Sequence, residues 1–196
     1  MKIDRNTGLL VVDIQNDFCA GGALPVPEGD RVVPVLNRYI DLFVERGAPV
    51  FFTRDWHPRD HISFKERGGP WPPHCVQGTE GAAFHKDLKV PSDAAVISTA
   101  DRADREAYSG FSGTDLAARL RNLGVKTVLV GGLATDYCVK HTVLDAVKEG
   151  LETYFLKDAS RGVEVSPGDT EKAVEEMKAA GARELELKEL KERSPK

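Results

Sequence analysis

In 196 residues, 27 Lys and Arg stand against 31 Asp and Glu, a formal charge of −4, and 41% of the residues are hydrophobic. That composition supplies one sizeable core and excludes intrinsic disorder, and a pI near 5.8 offers no basic face for a nucleic acid. The apolar runs end too soon to cross a membrane: Leu9-Leu10-Val11-Val12 stops at Asp13, where ~20 residues would be needed.

Taken in chain order, Lys2, Asp4 and Arg5 before a four-residue apolar run do not read as a signal peptide, and residues 8–14 read as a buried strand. Val32, Val35, Leu36, Tyr39, Ile40 and Phe43 give 31–46 a helical period that Gly47 stops. Residues 50–53 make a second strand and 94–98 a third, 114–123 a helix, and 127–130 a fourth strand. A helix follows over 135–148, with Val139, Val143, Ala146 and Val147 along one stripe, and then a fifth strand at 152–156. Ser166-Pro167 signals the start of a helix to about Ala180, where Gly181 ends it, and 184–187 makes a sixth strand. From Lys188 the chain is almost wholly polar and is expected to fray. Strands apolar on both faces and separated by helices specify an α/β fold, a three-layer αβα sandwich around a mostly parallel central sheet, as a single domain over residues 1–196. One segment breaks the alternation. Residues 55–83 are rich in Gly, Pro, Trp and His without periodicity, and loops of that length are usually functional or disordered.

Ligands of an open α/β sheet sit beyond the carboxyl ends of its strands, so the residues there carry the functional argument. The first strand leads to Asp13, the second to Asp55 and His57, the third to Thr99 and the fourth to Cys138. Neither GxGxxG nor a P-loop occurs, which excludes the usual nucleotide-binding modes. Cys138 follows Gly131-Gly132-Leu133-Ala134-Thr135; with Thr135 as N-cap, the thiol lies in the first turn, where a helix lowers a cysteine's pKa and free amides can hold an oxyanion. A buried structural cysteine fits the same position. Asp13 reads as a turn residue or as a base of raised pKa, and beside a thiol it becomes a proton acceptor. Asp55, His57, His61 and His74 put one carboxylate and three imidazoles within twenty residues. Asp-x-His on an extended segment places both side chains on one face, and a His/His/Asp set suits zinc, iron or manganese; solvent-exposed loop histidines are the alternative. Phe18, Trp71 and Tyr108 border the same crevice, either as a slot for a planar ring or as core filling. Cys19 and Cys75 read as structural, His85 and His141 as surface residues. Three cysteines without a CxxC pair fit a reducing, cytoplasmic setting.

Several of these stretches, in order, resemble one family. Val12-Asp13-Ile14-Gln15-Asn16-Asp17-Phe18, Gly21-Gly22-Ala23-Leu24, Thr53-Arg54-Asp55-Trp56-His57-Pro58, Trp71-Pro72-Pro73-His74-Cys75, Tyr108-Ser109-Gly110-Phe111 and Ala134-Thr135-Asp136-Tyr137-Cys138-Val139 are similar to the nicotinamidases of the isochorismatase-like cysteine hydrolases. The resemblance covers about residues 8–180. It implies hydrolysis of nicotinamide to nicotinate and ammonia in NAD salvage, with pyrazinamide also accepted, by a protein that frequently assembles as a homo-oligomer and engages neither nucleic acid nor membrane. It assigns Cys138 as nucleophile and Asp13 as general acid/base. Asp55, His57 and His74, with His61 as a further ligand in some members, would bind one divalent metal, zinc before iron or manganese. Phe18, Trp71 and Tyr108 would flank the ring. A cis peptide would precede Ala134, whose amide joins that of Cys138 as oxyanion donor. One position departs: family members carry a lysine at the end of the third strand, completing an Asp-Lys-Cys triad, where this chain has Thr99. Without that charge both the thiol and Asp13 should titrate higher, and turnover is expected to be impaired unless Arg102 or Arg105 substitutes.

Overall fold

Every residue of β1 (Thr7–Val12) is buried, and its alternation sends Leu9 and Val11 into one apolar cluster and Leu10 and Val12 into another. A strand buried on both faces belongs at the centre of a sheet. In the computed structural model, which describes residues 1–190, β1 pairs in parallel with β2 (Val50–Asp55) on one side and β4 (Thr127–Leu133) on the other. β3 (Ala95–Thr99) lies outside β2, and β5 (Glu152–Arg161) and β6 (Arg183–Leu185) extend the sheet beyond β4, giving the order β3-β2-β1-β4-β5-β6. Every pairing between these six strands is parallel.

Helices cover both faces. α1 (Val33–Glu45) follows a 3-10 turn and has Pro34 in its first turn, where the missing N–H costs nothing. It packs Leu36, Tyr39, Ile40 and Phe43 on the face that carries Leu9, Val11 and Phe52; burying each aliphatic or phenyl side chain is worth about 1.5–3 kcal/mol. α2 (Leu116–Asn122), α3 (Lys140–Lys148) and α4 (Asp169–Ala179) bring Leu116, Leu120, Val143 and Met177 to the opposite face, against Leu10, Val12, Val130 and Phe155.

Among the boundaries that differ from the sequence expectation, β2 runs on to Asp55 and β5 to Arg161, and four others follow from local chemistry. β4 continues through Gly131-Gly132-Leu133, a stretch without the usual strand signal. Gly132 has φ 134°, and a Cβ there would collide with the Val12 backbone, so glycine is what lets β4 run close beside β1 to its end. The segment 135–148 starts as a π-helical turn, Thr135–Val139, with Ala134 rather than Thr135 in the cap position. α4 begins at Asp169, after Gly168 in the left-handed conformation; Ser166 is outside the helix, its N–H donating to Asp169 Oδ2 at 2.8 Å. The polar C-terminal stretch is ordered at its start. Leu187–Glu189 forms a 3-10 turn closed by reciprocal Glu186 and Glu189 bonds, and Leu190 is buried, because the two leucines anchor what charge counting alone reads as frayed. The remainder of that stretch, 191–196, lies outside the described residues.

The chain moves outward from β1 to β3, then returns to place β4 on β1's other side. The connections therefore diverge between β1 and β4, and an open α/β sheet has its crevice at the carboxyl ends of such a strand pair. Asp13 and Cys138 are the residues delivered there.

Candidate active site

The chain turns sharply at the end of β1, where Asp13 has φ 50°, a conformation that asparagine and aspartate tolerate better than other side chains. Its carboxylate is 2% exposed and accepts a hydrogen bond from Thr53 Oγ1 of β2 at 2.6 Å. The peptide Leu133–Ala134 after β4 is cis and leads into the π-helical turn that carries Cys138. The thiol lies beside Asp13: ligand atoms of Asp13, Asp55 and Cys138 all lie within 4.8 Å of one another.

This proximity sets the charges. Burial, then the Asp55 carboxylate, push Asp13 well above the usual carboxylate range, against the opposing bonds from Thr53 and Cys138. Burial, followed by Asp13 and Asp55, pushes the Cys138 thiol well above its ordinary value. The expected lowering by the helix N-terminus is overturned: desolvation among carboxylates outweighs the turn's partial charge. Arg102 and Arg105 are engaged elsewhere. Arg102 Nε lies 3.5 Å from Asp104, and the Arg105 guanidinium packs against Gly113. Thr99, at the carboxyl end of β3, donates its hydroxyl to Asp55 Oδ1 at 3.1 Å rather than meeting Asp13 or Cys138.

Beside this pair stands the carboxylate–imidazole group. Asp55 Oδ2 is 4.0 Å from His57 Nε2 and 3.8 Å from His74 Nε2, with all three residues buried. His57 Nδ1 donates to the His74 carbonyl at 3.0 Å and His74 Nδ1 to the Pro72 carbonyl at 2.8 Å. Backbone acceptors thus fix the tautomer and leave both Nε2 lone pairs toward Asp55, the usual support of a metal-ligating imidazole. Burial holds both imidazoles neutral, His57 lowered to about 4 and His74 lowered in the same sense. Two neutral nitrogens and one carboxylate, desolvated and convergent, fit a divalent metal ion. His61 stands outside this trio, contrary to its expected part as a further ligand. Its Nε2 donates to the Arg105 carbonyl at 3.0 Å and its Nδ1 lies 2.7 Å from Ser63 Oγ, so both ring nitrogens are engaged. It groups instead with His57 and Glu106.

The aromatic residues do converge. Phe18, Trp71 and Tyr108 wall a cleft that also reaches Asp55, His74, Ala134 and Cys138. Trp71 Nε1 donates to the Tyr108 hydroxyl at 3.0 Å, and Phe18 lies 5.6 Å, ring to ring, from His74. Leu24, Val26, Tyr137 and Val163 complete the lining; sequence reasoning missed them because only folding carries residues so far apart to one wall. His141 is half-buried and stacks on Tyr108 with centroids 5.4 Å apart, so it is not a free surface residue.

Three side chains before the loop explain how an aperiodic segment is held. Gln15 Nε2 donates to the carbonyls of Asp55 and Ala82, and its Oε1 accepts from Asp55 N–H. Asp17 accepts from Cys75 N–H and Ala23 N–H, and Asn16 donates to the Glu80 carbonyl. A polar cluster directly after a buried strand was the available signal for this clasp.

A family model described as the isochorismatase domain matches residues 7–189. The crystal structure of a pyrazinamidase of Pyrococcus horikoshii in complex with zinc is 55% identical, with a TM-score of 0.89, over 93% of this chain and 99% of that one. A nicotinamidase of Escherichia coli strain K12 is 44% identical over 89% of this chain and 92% of its own length. A nicotinamidase/pyrazinamidase of Mycobacterium tuberculosis is 42% identical, covering 88% and 94%.

Proposed function

Because the chain belongs to the isochorismatase family, we propose that it is a nicotinamidase, hydrolysing nicotinamide to nicotinate and ammonia and accepting pyrazinamide as well. The observation that carries the reading is one aromatic-walled cleft lined by Cys138, Asp55 and His74, with Asp13 within 4.8 Å of Asp55 and Cys138 and His57 within 4.8 Å of Asp55 and His74.

An amide carbonyl is a poor electrophile, so a thiolate must attack it while donors meet the developing oxyanion. In this reading Asp13 takes the Cys138 proton, and Sγ bonds to the carboxamide carbon. The amides of Ala134 and Cys138 face the oxygen. Asp13 returns the proton to the departing ammonia as the C–N bond breaks, then takes one from the water that opens the thioester, and hands it to the Cys138 sulfur released with nicotinate. Asp55, His57 and His74 would hold one divalent ion, zinc in this proposal, which when bound would supply a fixed positive charge that orients the ring. Phe18, Trp71 and Tyr108 hold the ring flat and exclude water.

The high resting pKa of both Cys138 and Asp13, with no basic side chain among the groups acting on them, supports impaired turnover. Ammonia release from zinc-loaded protein tests the whole reading. Slow release is expected for the chain with Thr99, and at least about tenfold faster release for Thr99→Lys, one pKa unit of charge stabilisation being worth about that factor. No gain from lysine overturns the impairment; no ammonia from either chain, with either amide, overturns the amidase. Thr99 also favours a second reading, a non-catalytic binder of nicotinamide-like rings, which calorimetric binding without a Cys138 thioester in mass spectrometry would select. Another isochorismatase-like amidase would reveal itself on a panel of small amides. The proposal extends to one catalytic domain, a cytoplasmic location and self-association; no described helix is long and apolar enough to cross a membrane, and sedimentation measures the assembly.

A further inference from the structure

The carboxylate of Asp55 faces two ways. Its Oδ2 lies 4.0 Å from His57 Nε2 and 3.8 Å from His74 Nε2. Its Oδ1 accepts a buried hydrogen bond from Thr99 Oγ1 at 3.1 Å. The parallel register of β2 and β3 pairs Asp55 with Thr99, so the sheet itself sets the two side chains beside each other. Gln15 clamps the Asp55 backbone through its N–H and its carbonyl, which leaves the rotation of the carboxylate to another group. Among the described residues Thr99 is the one side chain that donates a hydrogen bond to it. The threonine hydroxyl has a single hydrogen and a second acceptor within reach, the Arg54 carbonyl at 3.2 Å; an ionised carboxylate is the stronger of the two.

We infer that Thr99 is a positioning residue of the metal site: its hydroxyl fixes the Asp55 carboxylate so that Oδ2 stays toward His57 and His74. This rests on the reading of Asp55, His57 and His74 as ligands. At the position where the family resemblance expects a lysine, the polar side chain faces the metal-ligand carboxylate instead of the thiol–carboxylate pair. A hydrogen-bonding partner behind a ligating carboxylate holds its orientation, and losing such a partner weakens metal binding by about 10- to 100-fold.

The test compares the metal-stripped parent with Thr99→Val and Thr99→Ser, measuring zinc affinity by competition with a chromogenic chelator and the thermal midpoint without zinc. The valine variant keeps shape and loses the hydroxyl, so zinc is expected to bind about 10- to 100-fold more weakly while the midpoint of the stripped protein moves little. The serine variant restores the hydroxyl and is expected to bind zinc within about threefold of the parent, a merely structural methyl being irrelevant to this readout. Should the valine variant not fold, Thr99→Ala against Thr99→Ser asks the same question, since the two differ by one oxygen. Parent-like zinc affinity in Thr99→Val, or in Thr99→Ala, overturns the role of Thr99 and leaves the ligand reading standing. A parent that binds no zinc, or binds it equally well after His74→Ala, overturns the ligand reading and this inference with it.

Discussion

A thiol and a carboxylate buried against each other both resist ionisation, and Cys138 and Asp13 do so with a second carboxylate, Asp55, close by. The thiolate is the reactive form, so its abundance sets the chemistry of Cys138. Below its raised pKa the sulfur is neutral, and the thiolate fraction grows as pH rises toward that value. Iodoacetamide should therefore label Cys138 of the stripped protein slowly at neutral pH, with a rate climbing about tenfold per unit through pH 9 and no plateau near 7. Peptide mass spectrometry separates this from Cys19, itself raised to about 11. Asp13→Asn keeps the size of the side chain and removes the proton carrier. Its kcat is expected to fall by about 10²- to 10⁴-fold, with nicotinamide binding in calorimetry left near the parent value. An equal loss in binding would make Asp13 a structural residue instead.

At the scale of elements, the site is made where strands stop. β1, β2 and β4 each hand one functional segment to the same edge, and the long loop after β2 contributes His74 and Trp71 from a stretch with no regular structure. That loop is held by Gln15, which is fully buried and makes three hydrogen bonds to it and to Asp55. Gln15→Leu would leave a buried N–H and two carbonyls without that partner, at a cost of about 1–3 kcal/mol for each group left unsatisfied. Urea unfolding should register at least about 2 kcal/mol of lost stability. Zinc affinity should fall too, because Gln15 sets the backbone of Asp55. A variant as stable as the parent would show that water or rearrangement replaces the clasp.

For the whole molecule, the metal group joins the end of β2 to a loop residue almost twenty positions further on, so occupancy and folding are linked. A ligand that binds only the folded state stabilises it by about 2.7 kcal/mol at a hundred times its Kd. Adding zinc to the stripped protein should raise the thermal midpoint by several degrees, a chelator should reverse the gain, and His74→Ala should abolish it. A midpoint indifferent to zinc would mean that the donors are not a site.

Local chemistry was legible in the chain: runs apolar on both faces named the parallel strands, helical periodicity named α1, and the order of Asp13, Asp55, His57, His74 and Cys138 named side chains that the fold groups together. These are properties of neighbours a few positions apart, where period and residue type carry the information. Only the tertiary structure decided which strand lies beside which, and therefore that β1 and β4 open the crevice between them. Folding also turned Thr99 toward Asp55, 44 positions away, engaged both nitrogens of His61, the Nε2 with a carbonyl 44 positions on, and brought Thr53 to Asp13 across 40. Hydrogen bonds over such separations depend on strand register and on which groups are denied water together, and no local pattern encodes either.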